Sequence, residues 1–333
     1  MSGPDAPRRR PSGSRLKTYS HLERGRRLPN EYEIVTSDLL YYPSRGFEVK
    51  TPLDAWYEKH QRGSLLHAND WERFSDPRET TYAKYTALAL KGETYLDGLL
   101  DSIETSGYDR ALSAEWRGTL DRVLGPLRYP LHGFQMIASY VGQMAPSGRI
   151  TVAALFQAAD EMRRIQRLAY RMTLLQQTHP DFGKESKSVW LRDPAWQPLR
   201  EAVERCLVTY DWGESLIALN FCIKPLIDEL FMTYLPREAE EHDDHLLGQL
   251  FSCLDEDCRW HRAWSVALLK IAVEDDADNR TVIHAWVTRW CEIARRAAAT
   301  FDFLFQRTPV PSPSLSSFAA RLLAEVGVEA PAA

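Results

Sequence analysis

The chain has 333 residues, with 41 Lys and Arg against 46 Asp and Glu and a formal net charge of −5 at pH 7. That length allows one large or two medium domains around a substantial core. The mild acidic excess excludes the basic footprint of a nucleic-acid binder, and no apolar run approaches the ~20 residues of a membrane span. The five cysteines (206, 222, 253, 258 and 291) are odd in number and form no CxxC. They read as buried free thiols of a reducing compartment rather than a zinc ribbon or a redox motif. Residues 1–16 are polar and arginine-rich, without a secretory apolar stretch. A soluble, cytoplasmic protein is expected.

In chain order, residues 1–16 read as a disordered basic arm, rich in Pro, Gly, Ser and Arg. Residues 17–80 carry many aromatics, among them Tyr19, Tyr32, Tyr41, Tyr42, Trp56 and Trp71, but prolines at 29, 43, 52 and 77 interrupt any helical period. An irregular segment that faces only water is normally polar. An aromatic one must bury its rings, either on its own domain or on another chain. The second option is favoured, as an extended arm wrapping a partner subunit.

A helical domain is expected over residues 81–306. Leu96, Leu99, Leu100 and Ile103 follow the i, i+3, i+4, i+7 rule. Residues 127–145 are nearly apolar all round, as in a central buried helix, with Pro130 in a tolerated first turn. Residues 147–180 run without a breaker until Pro180 and predict one long helix. Residues 194–235 predict another helical region, kinked or broken at Pro225. Helices over 245–274 and 279–306 follow. No run alternates like a strand bounded by hairpin turns, so the class is all-α. Residues 307–333 form a proline-rich linker and a tail, in which Leu315, Phe318, Leu322 and Val326 share a stripe. That stripe fits either a docking helix or a weakly ordered end.

Several long helices, some nearly apolar, suggest a large bundle. Such bundles often hold a carboxylate-bridged di-iron site, with Glu-x-x-His on each of two helices and one carboxylate on each of two others. The i, i+3 spacing puts both side chains on one helix face. Glu-x-x-His occurs nowhere in this chain. Glu161 is followed three residues later by Arg164, an obligate cation that would repel Fe²⁺ and pair with Glu161 instead. Asp257 is followed three on by Trp260 and four on by His261, which allows a helix-stabilising Asp257–His261 pair. No Asp or Glu lies between Asp121 and Asp160, and Glu214 is the best carboxylate on its helix. The set Glu161, Arg164, Glu214, Asp257 and Trp260 reads as a degenerate former ligand set that cannot hold two irons. "EAEEHDDH" (238–245) pairs Glu238 with His242 and Glu241 with His245, but is expected to be an exposed acidic helix start. No nucleophile elbow, P-loop or dinucleotide loop occurs. No catalytic, cofactor-binding or metal residue is therefore expected in the chain itself.

The blocks "TYSHLERGRRLPNEYEIV", "LDAWYEKHQRGS", "NDWERFSDP", "GPLRYPLHGFQMIASYVGQMAP", "DWGESLIALNFCIKP" and "RAWSVALLK" occur in this order. Over roughly residues 17–306 the chain resembles the β subunit of the hydroxylase component of bacterial multicomponent (soluble di-iron) monooxygenases, in the toluene/alkene branch. The resemblance implies a ferritin-like (ribonucleotide-reductase-like) helical bundle without metal, a duplicated relative of a catalytic α subunit that holds the di-iron centre. It further implies an (αβγ)2 hydroxylase with a small γ subunit. An effector protein and a Rieske ferredoxin dock on it, and O₂ and NADH-derived electrons serve aromatic hydroxylation or alkene epoxidation. Two other readings stay open: a free-standing ferritin-like protein with a metal site built from Glu161, Glu214, Asp257 and His261, and an all-α interaction protein. The hydrocarbon and its regiochemistry are not legible in these residues.

Overall fold

The computed structural model describes residues 29–37, 39, 52–308 and 312–329. The basic arm 1–16 lies outside them, as do Tyr19, Tyr41 and Tyr42 and the side chains of Ile103 and Leu315. Among the described residues every regular element is a helix. In chain order these are α1 (Glu31–Thr36), α2 (Pro52–Tyr57), α3 (Tyr82–Ser106), α4 (Tyr108–Ala111), α5 (Ala114–Met144), α6 (Gly148–Thr178), α7 (Ser186–Arg192) and α8 (Gln197–Leu207). After them come α9 (Trp212–Ile217), α10 (Lys224–Asp228), α11 (Leu235–Glu241), α12 (His245–Asp275), α13 (Asn279–Ala299) and α14 (Ser312–Ala324).

The long helices start where a side chain can satisfy their first free N–H groups. Thr81 accepts from Lys84 N, Ser113 from Trp116 N, Ser147 from Arg149 N, and Asp211 from Gly213 N and Glu214 N. α3 ends on Gly107 at φ 69°, a left-handed position that favours glycine. A turn at residues 145–147 joins α5 to α6, so the two long helices run antiparallel and pack along their length. α5 begins earlier than the sequence pattern indicates, at Ala114. Pro126 and Pro130 therefore both lie inside it rather than in a first turn. Two glycines on α5 let shorter helices approach closely. A Cβ at Gly125 would collide with Ser186 of α7, and one at Gly133 with Val203 of α8.

The region 194–235 is not one kinked helix. α8 ends at Leu207, and a new helical run begins at Trp212. That run passes through two wider, π-helical stretches, Ala218–Ile223 and Glu229–Tyr234, which flank α10 on either side. Pro225, which has no N–H to donate, sits just past the first π-helical stretch, inside the run. The last predicted helix stops at Ala299 rather than 306 and gives way to a 3₁₀ turn, Asp302–Leu304. α14 folds back on α10 and the 218–223 stretch. It buries Ala319, Leu322 and Leu323, and Val326 just beyond it is buried as well.

The described part of the aromatic segment lies on this chain's own helices. Ser64 Oγ donates to Asp211 Oδ1 (2.7 Å), His67 N donates to Asn279 Oδ1 (3.1 Å), and Leu66 and Phe74 belong to the main core. Residues 64–74 thus pack on the same core as the helices that follow.

Candidate functional site

The bundle centre is formed by α6, α10 and α12, and it is ionic. Glu161 and Arg164 lie one turn apart on α6, and Lys224 and Asp228 one turn apart on α10. Arg164 Nη1 donates to Glu161 Oε2 at 2.8 Å and Arg164 Nη2 to Asp228 Oδ1 at 3.0 Å. Lys224 Nζ lies 2.6 Å from Asp228 Oδ2 and 3.0 Å from Glu161 Oε1. The four charges close into a ring, cation alternating with anion, and each side chain is at most 3% exposed. Buried charges are tolerable only when paired and hydrogen-bonded in this way. The π-helical turns on both sides of α10 widen the helix around Lys224 and Asp228, whose i, i+4 spacing already sets them on one face.

A second layer surrounds the ring. Asp160 is fully buried, with its Oδ1 accepting from Tyr85 Oη (3.0 Å) and Arg163 Nη1 (3.1 Å). His261 Nε2 lies 3.1 Å from Asp160 Oδ2, and His261 Nδ1 lies 3.8 Å from Glu161 Oε1. Arg163 also reaches Asp257 Oδ2 at 2.9 Å. Beside the ring, Gln157 and Asn220 exchange hydrogen bonds of 2.8 and 3.0 Å, and Asn220 Nδ2 donates to Ser265 Oγ. A half-open cavity of about 690 Å³ between α3 and α12 has Arg163 and Asp257 in its wall, so these two face solvent while Asp160, His261 and the ring do not.

The electrostatics follow from burial and partners. Burial, reinforced by the Lys224 charge, pushes the His261 pKa down to about 3, so the ring is neutral at pH 7. With Asp160 ionised, that neutral imidazole carries its proton on Nε2 and donates it there. Burial, then the neighbouring Asp160 charge, pushes the Asp257 pKa up to about 6. Burial also raises Asp160, against the opposing pull of Arg163. Asp228 behaves oppositely. Burial works against its charge, but Lys224, Arg164 and Arg262 outweigh it and hold the carboxyl well below the usual range. Burial likewise opposes the Arg164 charge, and the carboxylates of Glu161 and Asp228 keep it protonated.

Of the residues singled out in the sequence, Glu161 and Arg164 pair with each other as expected. Asp257 and His261 do not pair. Asp257 goes to Arg163 and His261 turns inward to Asp160, because Arg163 reaches across from α6 and takes the carboxylate first. Glu214 is not at the centre either. It accepts from Trp290 Nε1 (2.9 Å) and pairs with Arg289 on α13. Its place is taken by Asp228, which lies beyond a π-helical stretch that shifts the inward face. Lys224 and Asp228 were the missed members of the ring. Their i, i+4 spacing in an otherwise apolar run was the available signal. Trp260 does face the interior, but outward of the ring, where its Nε1 donates to the buried Asp76 Oδ1 at 2.7 Å.

The acidic stretch 238–245 also differs from the exposed start that was expected. Glu238 is 1% exposed and accepts from Arg307 N (3.1 Å) and Thr308 N (2.7 Å). Asp244, fully buried, caps α12 and accepts from Trp116 Nε1 at 2.9 Å. Both carboxylates tie loops to the bundle.

Among the aromatics expected at a partner interface, Tyr32 is 3% exposed and takes a hydrogen bond from Asp76 N on its Oη. Its ring is therefore already covered by this chain. Trp71 is half-buried edge-on against Trp212, with ring centroids 5.2 Å apart. Trp56 keeps 36% of its surface exposed while its Nε1 donates to Tyr140 Oη.

Chemically, the centre resembles a metal cage whose cations are covalent. Among the described residues no three His, Cys, Asp or Glu side chains are arranged to hold an ion, and Arg164 and Lys224 fill the space between the two carboxylates. The residues present do not fit an iron pair.

The chain matches the family model of methane/phenol/alkene hydroxylases over residues 54–276. It is 34% identical over 307 residues to the toluene-4-monooxygenase system, hydroxylase component subunit beta, of Ectopseudomonas mendocina, covering 90% of this chain and 94% of that one. A solved structure of toluene 4-monooxygenase with toluene bound in the resting active site aligns with a TM-score of 0.82 at 32% identity, covering 89% of this chain and 98% of the other. Xenon-pressurized phenol hydroxylase from Pseudomonas sp. OX1 aligns with a TM-score of 0.84 at 21% identity, covering 100% and 99%, a likeness of fold alone.

Proposed function

The chain belongs to the methane/phenol/alkene hydroxylase family, and from that premise we propose that it serves as the structural β subunit of a di-iron hydroxylase of the toluene/alkene type. It is a monooxygenase hydroxylase component with an all-α, ferritin-like fold. In this reading the α subunit carries the di-iron centre, activates O₂ with electrons originating in NADH, and hydroxylates an aromatic hydrocarbon or epoxidises an alkene. The complex is (αβγ)2, and an effector protein and a Rieske ferredoxin dock on it. The protein acts in the cytoplasm; among the described residues no helix is long and apolar enough to cross a membrane.

The observation that carries the division of labour is the ring itself. A bundle that holds metal needs open carboxylate and imidazole lone pairs at its centre. Here both carboxylates are committed to Arg164 and Lys224. The surface supports a partner as well. α3 leaves Tyr82, Leu88, Leu90 and Tyr95 exposed, and α6 leaves Leu155, Met162 and Tyr170 exposed. Exposed apolar side chains such as these are available to a protein partner. The aromatic segment is the second contact, through Trp56, which stays part-exposed.

Iron analysis of the separated subunits tests the proposal. Iron is expected to follow the subunit carrying two Glu-x-x-His motifs. Tightly held stoichiometric iron in this chain alone would sink the reading. Deletion of residues 17–60 tests the wrapping contact, with loss of co-purification expected while circular dichroism stays helical.

A further inference from the structure

Two of the five cysteines, far apart in sequence, meet across the helices. Cys222 lies in the π-helical stretch Ala218–Ile223 and Cys291 on α13, and these two elements pack against one another. The Cys222 thiol donates a hydrogen bond to Cys291 Sγ. Cys222 is fully buried, whereas Cys291 keeps 7% of its surface exposed, so a small reagent from solvent meets Cys291 first. The two sulfurs are not equivalent. The hydrogen bond from Cys222 holds the Cys291 thiol below its ordinary range; burial opposes this, and the Arg295 charge one turn further along α13 reinforces it. Burial, then the neighbouring Cys291, pushes the Cys222 thiol well above that range. Cys291 therefore carries the larger share of thiolate, and Cys222 keeps its proton. Burial raises the thiols of Cys206, Cys253 and Cys258 instead.

We propose that Cys291 and Cys222 are a dithiol that hydrogen peroxide converts to a disulfide, a reversible modification site between the 218–223 stretch and α13. The Cys291 thiolate attacks one peroxide oxygen. The S–O bond forms, the O–O bond breaks, and hydroxide leaves and takes up a proton as water. The Cys222 sulfur then attacks the Cys291 sulfur. The S–S bond forms, the S–O bond breaks, and the Cys222 proton departs with the hydroxyl as a second water. The two sulfurs together lose two electrons, and the peroxide gains them. Closing the pair draws the sulfurs to about 2.05 Å. The movement falls on the turn that carries Cys222, where the π-helical stretch already departs from α-helical hydrogen bonding. Hydrogen peroxide is the two-electron reduction product of O₂, and the setting of an O₂-using hydroxylase rests on the proposed function. The dithiol chemistry rests on the contact between the two sulfurs. Exposure alone points elsewhere, to Cys253, the one cysteine that is not buried. Accessibility and the thiol contact therefore predict different products.

The test is hydrogen peroxide treatment of the folded full-length chain at neutral pH, followed by thiol titration in denaturant, intact mass and a non-reducing peptide map. The wild type is expected to lose two of its five thiols and two hydrogen atoms of mass. A linked peptide pair containing Cys222 and Cys291 should appear, and dithiothreitol should restore all five thiols. Cys222→Ser should stop the reaction at a sulfenic acid on Cys291, trapped by dimedone. Cys291→Ser should leave Cys222 reduced at the same peroxide dose. A wild type that keeps its helical circular dichroism and yields no Cys222–Cys291 link overturns the proposal, whether all five thiols survive or Cys253 alone is oxidised. So does loss of the same two thiols in Cys291→Ser as in wild type. The wild-type peptide map decides the matter even if a variant fails to fold. Iron analysis of the separated subunits reads the proposed function independently, so either conclusion can fail without the other.

Discussion

Asp228 and Phe231 are three residues apart on one helical run, both buried, yet they stabilise the protein in different ways. Asp228 faces the ionic ring, where two anions and two cations hold one another in place. Phe231 faces an aromatic cluster with Trp196 and Phe301, at ring-centroid separations of 6.2 and 5.3 Å. The aromatic side gains from every unit of area removed from water, so its losses are graded. The ionic side gains only when every charge is matched, because removing one partner strands another charge in a dry interior. The contrast shows why the ring is kept as a set.

The largest expected effect comes from breaking the ring on one side. Arg164→Ala should lower the unfolding free energy by about 3–5 kcal/mol, read by urea denaturation. Turnover of an assembled hydroxylase should stay nearly unchanged, and a selective loss of turnover with normal assembly would contradict a structural role. Glu161→Gln added to Arg164→Met should recover a substantial part of that loss, since the remaining Asp228–Lys224 pair is matched. Strict additivity of the two changes would argue against a coupled ring.

Trp260→Phe comes next. It leaves the buried Asp76 without the indole donor and should cost about 1–3 kcal/mol. Asp76 also accepts from Arg78 N and Thr80 N, so protease sensitivity near residues 74–80 should rise as well. On the aromatic side, Phe231→Leu keeps most of the volume and should cost less than about 1.5 kcal/mol. A larger loss would mean that the aromatic cluster is as unforgiving as the ring.

The last effect is a change of slope with pH. The Asp257 pKa in the folded chain is raised to about 6, above the ~3.9 of an unfolded aspartate. The native state therefore binds this proton more tightly than the unfolded state. The associated stability is complete below about pH 4 and is lost as pH rises toward about 6. Asp257→Asn should remove that decline, and its stability relative to wild type should change across this window but not above it. A constant difference from pH 4 to 7 would show that the carboxyl is not perturbed.

Local sequence rules reached far in this protein. The all-α class, the unbroken α6 and the pairing of Glu161 with Arg164 depend on spacing along one helix, and that spacing survives folding unchanged. The same rules indicated a Glu161 helix without its metal partner. What they could not reach was any contact between helices. Asp257 and His261 are well spaced to pair, yet Arg163 and Asp160 of another helix separate them. Glu214 looked like the inward carboxylate, but the π-helical stretch Ala218–Ile223 precedes Lys224 and Asp228, which face inward instead, and a 3.6-residue period does not foresee an inserted residue. The stretch 238–245 looked solvent-exposed because its acids are dense, but the backbone N–H groups of Arg307 and Thr308 and the indole of Trp116 come from distant parts of the chain to bind them. Sequence alone determined the all-α class and the pairing of Glu161 with Arg164 along one helix. The tertiary structure decided where each buried charge finds its opposite, because that match is made across helices and is set by three-dimensional distance rather than spacing along the chain.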